Sequence, residues 1–324
     1  MRRSIAQCLC WFVLMAGVAQ ADSTTVSVLR EDWRDAARQR TVPVKVDYPK
    51  TIGSPLPVVI LSHGLGGSRE GLAYLGQYFA DHGYVVVHIQ HAGSDEMLWK
   101  GAKPMAALAS IKAAVTPAQF LARVQDVTFT LDELARRNDD VHWTLHGKLD
   151  LTRIAMAGHS FGAVTTQAMC GELYPGQKNF YDDRIKAGIA LSPNPPSGDA
   201  KTAFAQIAVP VFHFTGTNDN APILVSDVTA KQRRVPYDAT SSTDQYLVIL
   251  TDADHISFNG RPAAQFKAHP KDAAWQNIVC RGATAFLDKY LKGSAAQTKY
   301  LDGGGFAKDV ARLGTFEKKL VKLK

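Results

Sequence analysis

One stretch of the chain decides its fold: residues 153–171, RIAMAGHSFGAVTTQAMCG. The apolar run Arg153–Ala157 predicts a strand and Phe161–Gly171 predicts a helix, with a G-x-S-x-G turn between them. Glycines on both sides of the serine let the two backbones approach closely, and the helix N-terminus adds partial positive charge. The stretch therefore predicts Ser160 as a nucleophile on a tight turn, the alternative being a serine that only caps the helix.

Outward from this turn, strands and helices alternate along the chain. The patterns predict the following strands: Val26–Leu29, Val42–Tyr48, Val58–Ser62, Tyr84–Gln90, Ala187–Ser192, Val209–Thr215 and Gln245–Thr251. They predict three further helices: Glu70–His82, Phe120–Arg137 and Ala273–Leu291. We therefore expect an α/β fold of one domain, 22–324, with a mostly parallel central sheet and helices on both faces.

Two further reactive side chains directly follow predicted strands. Asp219 and His255 each come after such a strand, and the chain order serine, aspartate, histidine is one known order for a catalytic triad. A serine needs a base to act as a nucleophile, so His255 is the predicted base and Asp219 its orienting acid. Asp252 and Asp254 are the competing acids, but their closeness to His255 along the chain makes a well-oriented contact awkward.

A second glycine-rich turn, H-G-L-G-G-S at residues 63–68, follows the strand Val58–Ser62. Acyl transfer needs donors for a developing oxyanion, and we expect the backbone N–H groups of Leu65 and Phe161 to supply them. The alternative is that this turn only connects two elements and donates to no oxyanion.

Composition and charge narrow the function classes. The chain has 324 residues, 46% hydrophobic and 21% charged, which excludes a wholly disordered chain and a polytopic membrane protein. The formal net charge of +7 is mildly basic, and no basic–aromatic stripe or zinc-finger spacing predicts nucleic acid as a partner. We assign residues 294–324 to a basic C-terminal tail, and nothing in the sequence indicates an oligomeric state.

Histidine and cysteine spacing predicts neither a metal nor a cofactor. The pairs His88 with His91 and His142 with His146 each lack a third ligand. Cys170 and Cys280 remain after the first 21 residues are set aside, and the sequence favours two buried free thiols over a disulfide.

The N-terminus has the three parts of a secretory signal. Arg2 and Arg3 precede an apolar run from Ile5 to Val18, and Ala19-Gln20-Ala21 matches a cleavage site. The run is shorter than a membrane-spanning helix requires. We therefore predict a cleaved signal peptide at residues 1–21, a periplasmic or extracellular mature chain, and no stable membrane insertion.

With these motifs the sequence resembles the α/β-hydrolases, and within them the secreted "predicted dienelactone hydrolase" branch related to platelet-activating-factor acetylhydrolase. The pieces that carry the resemblance extend over nearly the whole mature chain: Asp35–Arg38, Val42–Val44, Tyr48-Pro49, Ser62–Gly67, His91–Asp95, Arg123 with Asp126, Leu131-Asp132, Gly158–Gly162 and Asp254–Phe258. The resemblance implies a serine hydrolase. Dienelactone hydrolases proper use a cysteine nucleophile, so Ser160 favours ordinary carboxyl esters over lactones.

Substrate choice should depend on segments above the strand ends. Residues 97–116 form a candidate cap, with Met97 and Trp99 as candidate pocket residues, the alternative being a helix packed on the core. Short-chain or aryl esters are favoured. A polyester, a phospholipid acetyl ester, and peptidase or amidase activity on the same triad are the alternatives. A non-catalytic binding protein on this scaffold is the contrasting class, although such proteins usually lose a triad residue.

Overall fold

The computed structural model describes residues 25–221, 226–260 and 267–321. The predicted signal peptide, residues 1–21, lies outside the described residues. The strands are as follows: β1 Val26–Asp35, β2 Arg40–Pro49, β3 Leu56–Ser62, β4 Val85–Ile89, β5 Leu149–His159, β6 Leu173–Tyr174, β7 Lys178–Asn179, β8 Ile185–Leu191, β9 Val211–Asn218, β10 Gln245–Asp254 and β11 Gly314–Lys319.

The α-helices connect these strands and cover the sheet. They are α1 Ala73–Asp81, α2 Pro104–Ala113, α3 Pro117–Asn138, α4 Phe161–Met169, α5 Ala200–Ala203, α6 Val235–Ala239, α7 Asp272–Lys292, α8 Ala295–Asp302 and α9 Gly305–Val310. Short 3₁₀ turns occupy Glu96–Leu98, Ala230–Arg234 and His255–Asn259. Each predicted strand and helix is present, with ends shifted by a few residues.

In the described part of the chain, nine strands form one sheet in the order β1-β2-β4-β3-β5-β8-β9-β10-β11. Neighbouring strands from β4 to β10 pair in parallel, whereas β1, β2 and β11 pair antiparallel at the two sides. The expectation of a mostly parallel sheet is confirmed. The carboxyl ends of the parallel strands therefore meet at one edge of the sheet, where ligands bind in such folds.

The central strands are apolar throughout because both of their faces are covered. On β3, Val59 and Leu61 pack into the core on one face of the sheet, with Phe79 of α1 and Phe286 of α7. The alternate residues Val58 and Ile60 pack into the core on the other face, which includes side chains of α3 and α4. Cys170 and Cys280 are free, buried thiols in these two separate cores.

The segment that the sequence analysis assigns to a basic tail is, through residue 321, part of the fold. It forms α8, α9 and β11, and β11 extends the sheet by antiparallel pairing with β10. The amine of Lys319 donates to the carbonyls of Tyr237 and Thr240. The tail prediction is wrong here because an edge strand exposes part of its residues, and its lysines resemble the charges of a solvated tail.

Residues 97–116 contain α2, which buries none of its side chains. Two of its apolar side chains, Leu108 and Ile111, are half-buried, and its Met105 is 77% exposed. A cap role for this segment stays a prediction. No single helix among the described residues is long and apolar enough to cross a membrane. The pair α2 and α3 satisfies length and composition together, but it is bent by 75°.

Besides His255, five histidines are buried in the described structure: His63, His88, His91, His159 and His213. Burial lowers the pKa of each below its ordinary value, to about 4 for His91 and His213. His91 and His213 are therefore neutral in the folded protein at pH 6, where an unfolded chain takes up protons on histidine.

We expect the free energy of unfolding to fall as the pH is lowered from about 6.5 to about 4, because the unfolded chain binds more protons over that range. Each histidine that stays neutral in the fold adds about 1.4 kcal/mol per pH unit to the slope. Urea unfolding at pH 7, 6 and 5 measures how the free energy of unfolding depends on pH. His213→Gln keeps a donor for Gln245 and should flatten the slope. Equal stability of the wild type at pH 7 and pH 5 would contradict this account.

Candidate active site

Four parallel strands bring the predicted site residues to the same edge of the sheet. Leu65 follows β3, Ser160 follows β5, Asp219 follows β9 and His255 follows β10. Since β3 pairs with β5 and β9 with β10, the two halves of the site lie on either side of β8. Residues as far apart in sequence as Leu65 and His255 are thereby held on rigid elements.

The Ser160 turn depends on two glycines. Ser160 has φ 56° and ψ −114°, a conformation that non-glycine residues rarely adopt. A β-carbon at Gly162 would lie 1.9 Å from the carbonyl oxygen of Ser62, and one at Gly158 would lie 2.3 Å from that of Gly162. Glycine is thus required at both positions, and Ser160 is held at the tip of the turn.

Ser160, His255 and Asp219 form a continuous hydrogen-bonded chain. Ser160 Oγ lies 2.9 Å from His255 Nε2, and His255 Nδ1 lies 2.8 Å from Asp219 Oδ1. A carboxylate only accepts, so the imidazole proton is on Nδ1 and Nε2 is free to accept from the serine hydroxyl. Thr215 Oγ1 donates to the second oxygen of the buried Asp219 carboxylate at 2.8 Å.

The two competing aspartates have other roles. Asp254 accepts from the backbone N–H of Ser257 at 2.9 Å and from its hydroxyl, and so caps the 3₁₀ turn that His255 begins. Asp252 is exposed and forms an ion pair with Lys271 at 2.7 Å. Asp219 is therefore the aspartate whose carboxylate lies at hydrogen-bonding distance from His255 Nδ1.

Sequence reasoning missed Arg233, a buried cation beside the triad. Its Nε lies 3.4 Å from Asp219 Oδ1 and donates to the Asp219 carbonyl at 3.1 Å. Another of its nitrogens donates to the Ser192 carbonyl at 3.0 Å. Burial lowers the pKa of Arg233, and the Asp219 charge opposes that shift. Arg233 lies outside the predicted strands and helices and gives no sequence signal for this role, because its partners lie far along the chain.

His159, the residue before Ser160 in the G-x-S-x-G turn, is buried and also supports His255. Its Nε2 donates to the His255 carbonyl at 2.8 Å, and the two rings lie 4.7 Å apart. Burial and the neighbouring His255 hold the pKa of His159 well below its ordinary value. His159 is therefore neutral, and it fixes the backbone of the residue that faces Ser160.

The glycine-rich loop after β3 lies against Ser160. A β-carbon at Gly64 would be 3.4 Å from that of Ser160. The Gly64 carbonyl accepts from His63 Nδ1 at 2.6 Å and from the Gly67 N–H at 3.1 Å. Because the C=O and N–H of a trans peptide point in opposite directions, these bonds turn the Leu65 N–H away from the loop interior. In the described structure that N–H donates to no protein group.

The second predicted donor, the N–H of Phe161, is the first of helix α4. The first N–H groups of a helix have no intrahelical acceptor. Of the candidate pocket residues, Trp99 packs against the glycine-rich loop, and its indole N–H donates to the Gly66 carbonyl at 2.7 Å. Met97 is 67% exposed. The cap candidate thus begins directly beside the candidate oxyanion donors.

Comparison with known proteins points to one group of hydrolases. The family model described as "Platelet-activating factor acetylhydrolase, isoform II" matches residues 14–98. A platelet-activating factor acetylhydrolase of Cavia porcellus is 25% identical over 283 residues, which cover 77% of this chain and 61% of the relative. One of Canis lupus familiaris is 24% identical over 188 residues, covering 47% and 38%.

The chain thus spans about three fifths of the length of the first of these relatives. The similarity agrees with the parallel sheet and with the serine in the G-x-S-x-G turn after its central strand. The chain therefore has the mostly parallel sheet of an α/β-hydrolase fold and is similar in sequence to the platelet-activating factor acetylhydrolases.

Proposed function

We propose that this protein is an exported serine esterase that cleaves carboxyl esters through an acyl-enzyme. The hydrogen-bonded chain from Ser160 Oγ through His255 to Asp219 carries the proposal. A binding protein on the same scaffold would not need all three side chains in this geometry. The names of the similar proteins support ester hydrolysis over peptidase or amidase activity.

The geometry supports a two-step reaction. Ser160 Oγ attacks the ester carbonyl carbon while its proton passes to His255 Nε2, and Asp219 stabilises the imidazolium that forms. The N–H groups of Leu65 and Phe161 bind the oxyanion of the tetrahedral intermediate. His255 then protonates the leaving alcohol, and the acyl group stays on Ser160. Water, deprotonated by His255, attacks the acyl-enzyme in the second step and releases the carboxylic acid.

For the substrate we propose an ester of a short acyl group, and the phospholipid acetyl ester is the alternative that the similar proteins favour. The glycine-rich loop lies against Ser160 and Trp99 contacts that loop, so we expect a short acyl group to bind beside Ser160. The exposed side chains of Met97 and Met105 provide apolar surface for a larger leaving group. Residues 97–116 would then act as a partial cap.

Ser160→Ala should abolish labelling by a fluorophosphonate probe and leave only a residual esterase rate, because the nucleophile is removed while the oxyanion donors remain. Ser197→Ala, which changes an exposed serine in the segment between β8 and α5, is the matched control and should keep full labelling. The wild type should hydrolyse p-nitrophenyl acetate faster than long-chain esters and peptide anilides, and phospholipids with an sn-2 acetyl group faster than those with a long acyl chain. An unlabelled, inactive wild type would contradict the proposal.

Substitution of each of the three aspartates near His255 should lower kcat to a clearly different extent. Asp219→Asn should lose about three to four decades, because the imidazole can then take the wrong tautomer. Asp254→Asn should lose about tenfold through displacement of the 3₁₀ turn that it caps. Asp252→Asn, which changes an exposed ion pair, should stay near wild type. An active Asp219→Asn enzyme beside a crippled Asp254→Asn enzyme would show that the acid is misassigned.

We also propose export through the signal sequence at residues 1–21. Cleavage after Ala21 should give a mature N-terminus at Asp22. N-terminal sequencing of the protein recovered from the periplasm or medium of a bacterial host measures this. Recovery of the chain in the membrane fraction with Met1 retained would contradict cleavage.

A further inference from the structure

Arg123 is a fully buried arginine whose contacts the reaction itself does not use. It lies on α3 among the apolar residues of that helix. Its guanidinium donates from one terminal nitrogen to Ser62 Oγ at 3.0 Å and to the carbonyl of His63. The other terminal nitrogen donates to Ser94 Oγ at 2.9 Å.

The same guanidinium reaches the helix that begins at the nucleophile. Its Nε donates to Thr165 Oγ1 at 3.1 Å, and Thr165 donates in turn to the carbonyl of Phe161 at 2.9 Å. The guanidinium carbon also lies 4.5 Å from the centre of the Phe161 ring. Arg123 therefore contacts both the loop that leads to Leu65 and Phe161, whose N–H is the second proposed oxyanion donor.

A buried carboxylate balances this charge. Asp126, one turn further along α3, accepts from Arg40 at 2.7 Å and from His91 Nδ1 at 3.0 Å. Burial alone would raise the pKa of Asp126, but hydrogen bonds from His91 and Arg40 lower it to about 2. Burial lowers the pKa of Arg123 to about 9, so Arg123 stays charged at neutral pH. His91 Nε2 lies 2.9 Å from Ser62 Oγ, which Arg123 also contacts.

We propose that Arg123 is a positioning residue for the oxyanion hole, which fixes the N–H groups of Leu65 and Phe161 relative to each other. Each donor belongs to a different element, and hydrogen bonds to an oxyanion require both at about 3 Å from the same point. Arg123 joins the two elements through His63 on one side and Thr165 on the other. This inference rests on the proposed esterase function.

A purely structural role would have a different kinetic effect. Loss of packing or charge balance would lower stability and leave turnover per folded molecule unchanged. A displaced oxyanion donor weakens binding of the transition state and of its analogues, with little effect on ground-state binding. Two measurements separate these roles. The first is whether a variant changes kcat or KM. The second is its affinity for a boronic acid that forms a tetrahedral adduct with Ser160.

The experiment compares two matched pairs of variants in the full chain, with p-nitrophenyl acetate as substrate and phenylboronic acid as analogue. Arg123→Met should lower kcat by about 10²-fold, comparable to removal of one oxyanion donor, and leave KM within about threefold. The inhibition constant of phenylboronic acid should rise by about tenfold or more. Arg137→Met is its control. Arg137 lies on the same helix and packs over Trp33, away from the loop, so kcat should stay within about twofold.

The second pair tests the link to Phe161 with smaller changes. Thr165→Val removes the hydroxyl between Arg123 and the Phe161 carbonyl and should lower kcat by about tenfold. Thr166→Val is the control: it removes an equally buried hydroxyl that bonds the Gly162 carbonyl at 2.9 Å on the same helix. It should change kcat by less than about twofold while it lowers the melting temperature to a similar extent.

A folded Arg123→Met enzyme with wild-type kcat and boronic acid affinity would overturn the inference and leave the esterase proposal intact. If Arg123→Met does not fold, the threonine pair decides, and equal kcat for Thr165→Val and Thr166→Val would overturn it. An inactive wild type that phenylboronic acid does not bind would instead contradict the esterase function, and this inference with it.

Discussion

The contact between the Ser160 turn and the end of β3 is the constraint on which the rest of the structure depends. Gly162 approaches the carbonyl of Ser62 so closely that no side chain fits between them. The strained conformation of Ser160 costs on the order of 1–3 kcal/mol, and the packed strands on both sides must supply it. In return, Ser160, the proposed nucleophile, lies directly beside the loop that holds the first candidate oxyanion donor.

Ser62 connects this contact to the buried polar groups behind it. Its backbone carbonyl faces Gly162, and its hydroxyl meets Arg123 and His91. A half-satisfied polar cluster would be costly at this depth, but each charge here has a partner of opposite sign or several hydrogen bonds. The cluster thus links β3, α3 and α4 in one arrangement, and it explains why ionised side chains can be buried in this core.

On the other side of the candidate site, Arg233 and His159 hold Asp219 and His255, the proposed acid and base. Arg233 donates to carbonyls of the loops that follow β8 and β9, and His159 fixes the backbone of His255. The reacting side chains therefore sit on backbone that neighbouring side chains already hold in place. Such preorganisation reduces the rearrangement needed as charge develops during acyl transfer.

The sequence by itself determined the parallel sheet, the order of its elements and the positions of Ser160, Asp219 and His255. Each of these has a local signal: a continuous apolar strand, a glycine turn, or a reactive residue directly after a strand. Only the tertiary structure decided that 294–321 folds onto the sheet, that α2 is exposed, and that Arg123 and Arg233 are buried. The physical reason is that a charged residue is buried only when partners from distant parts of the chain compensate its desolvation, and no local pattern records those partners.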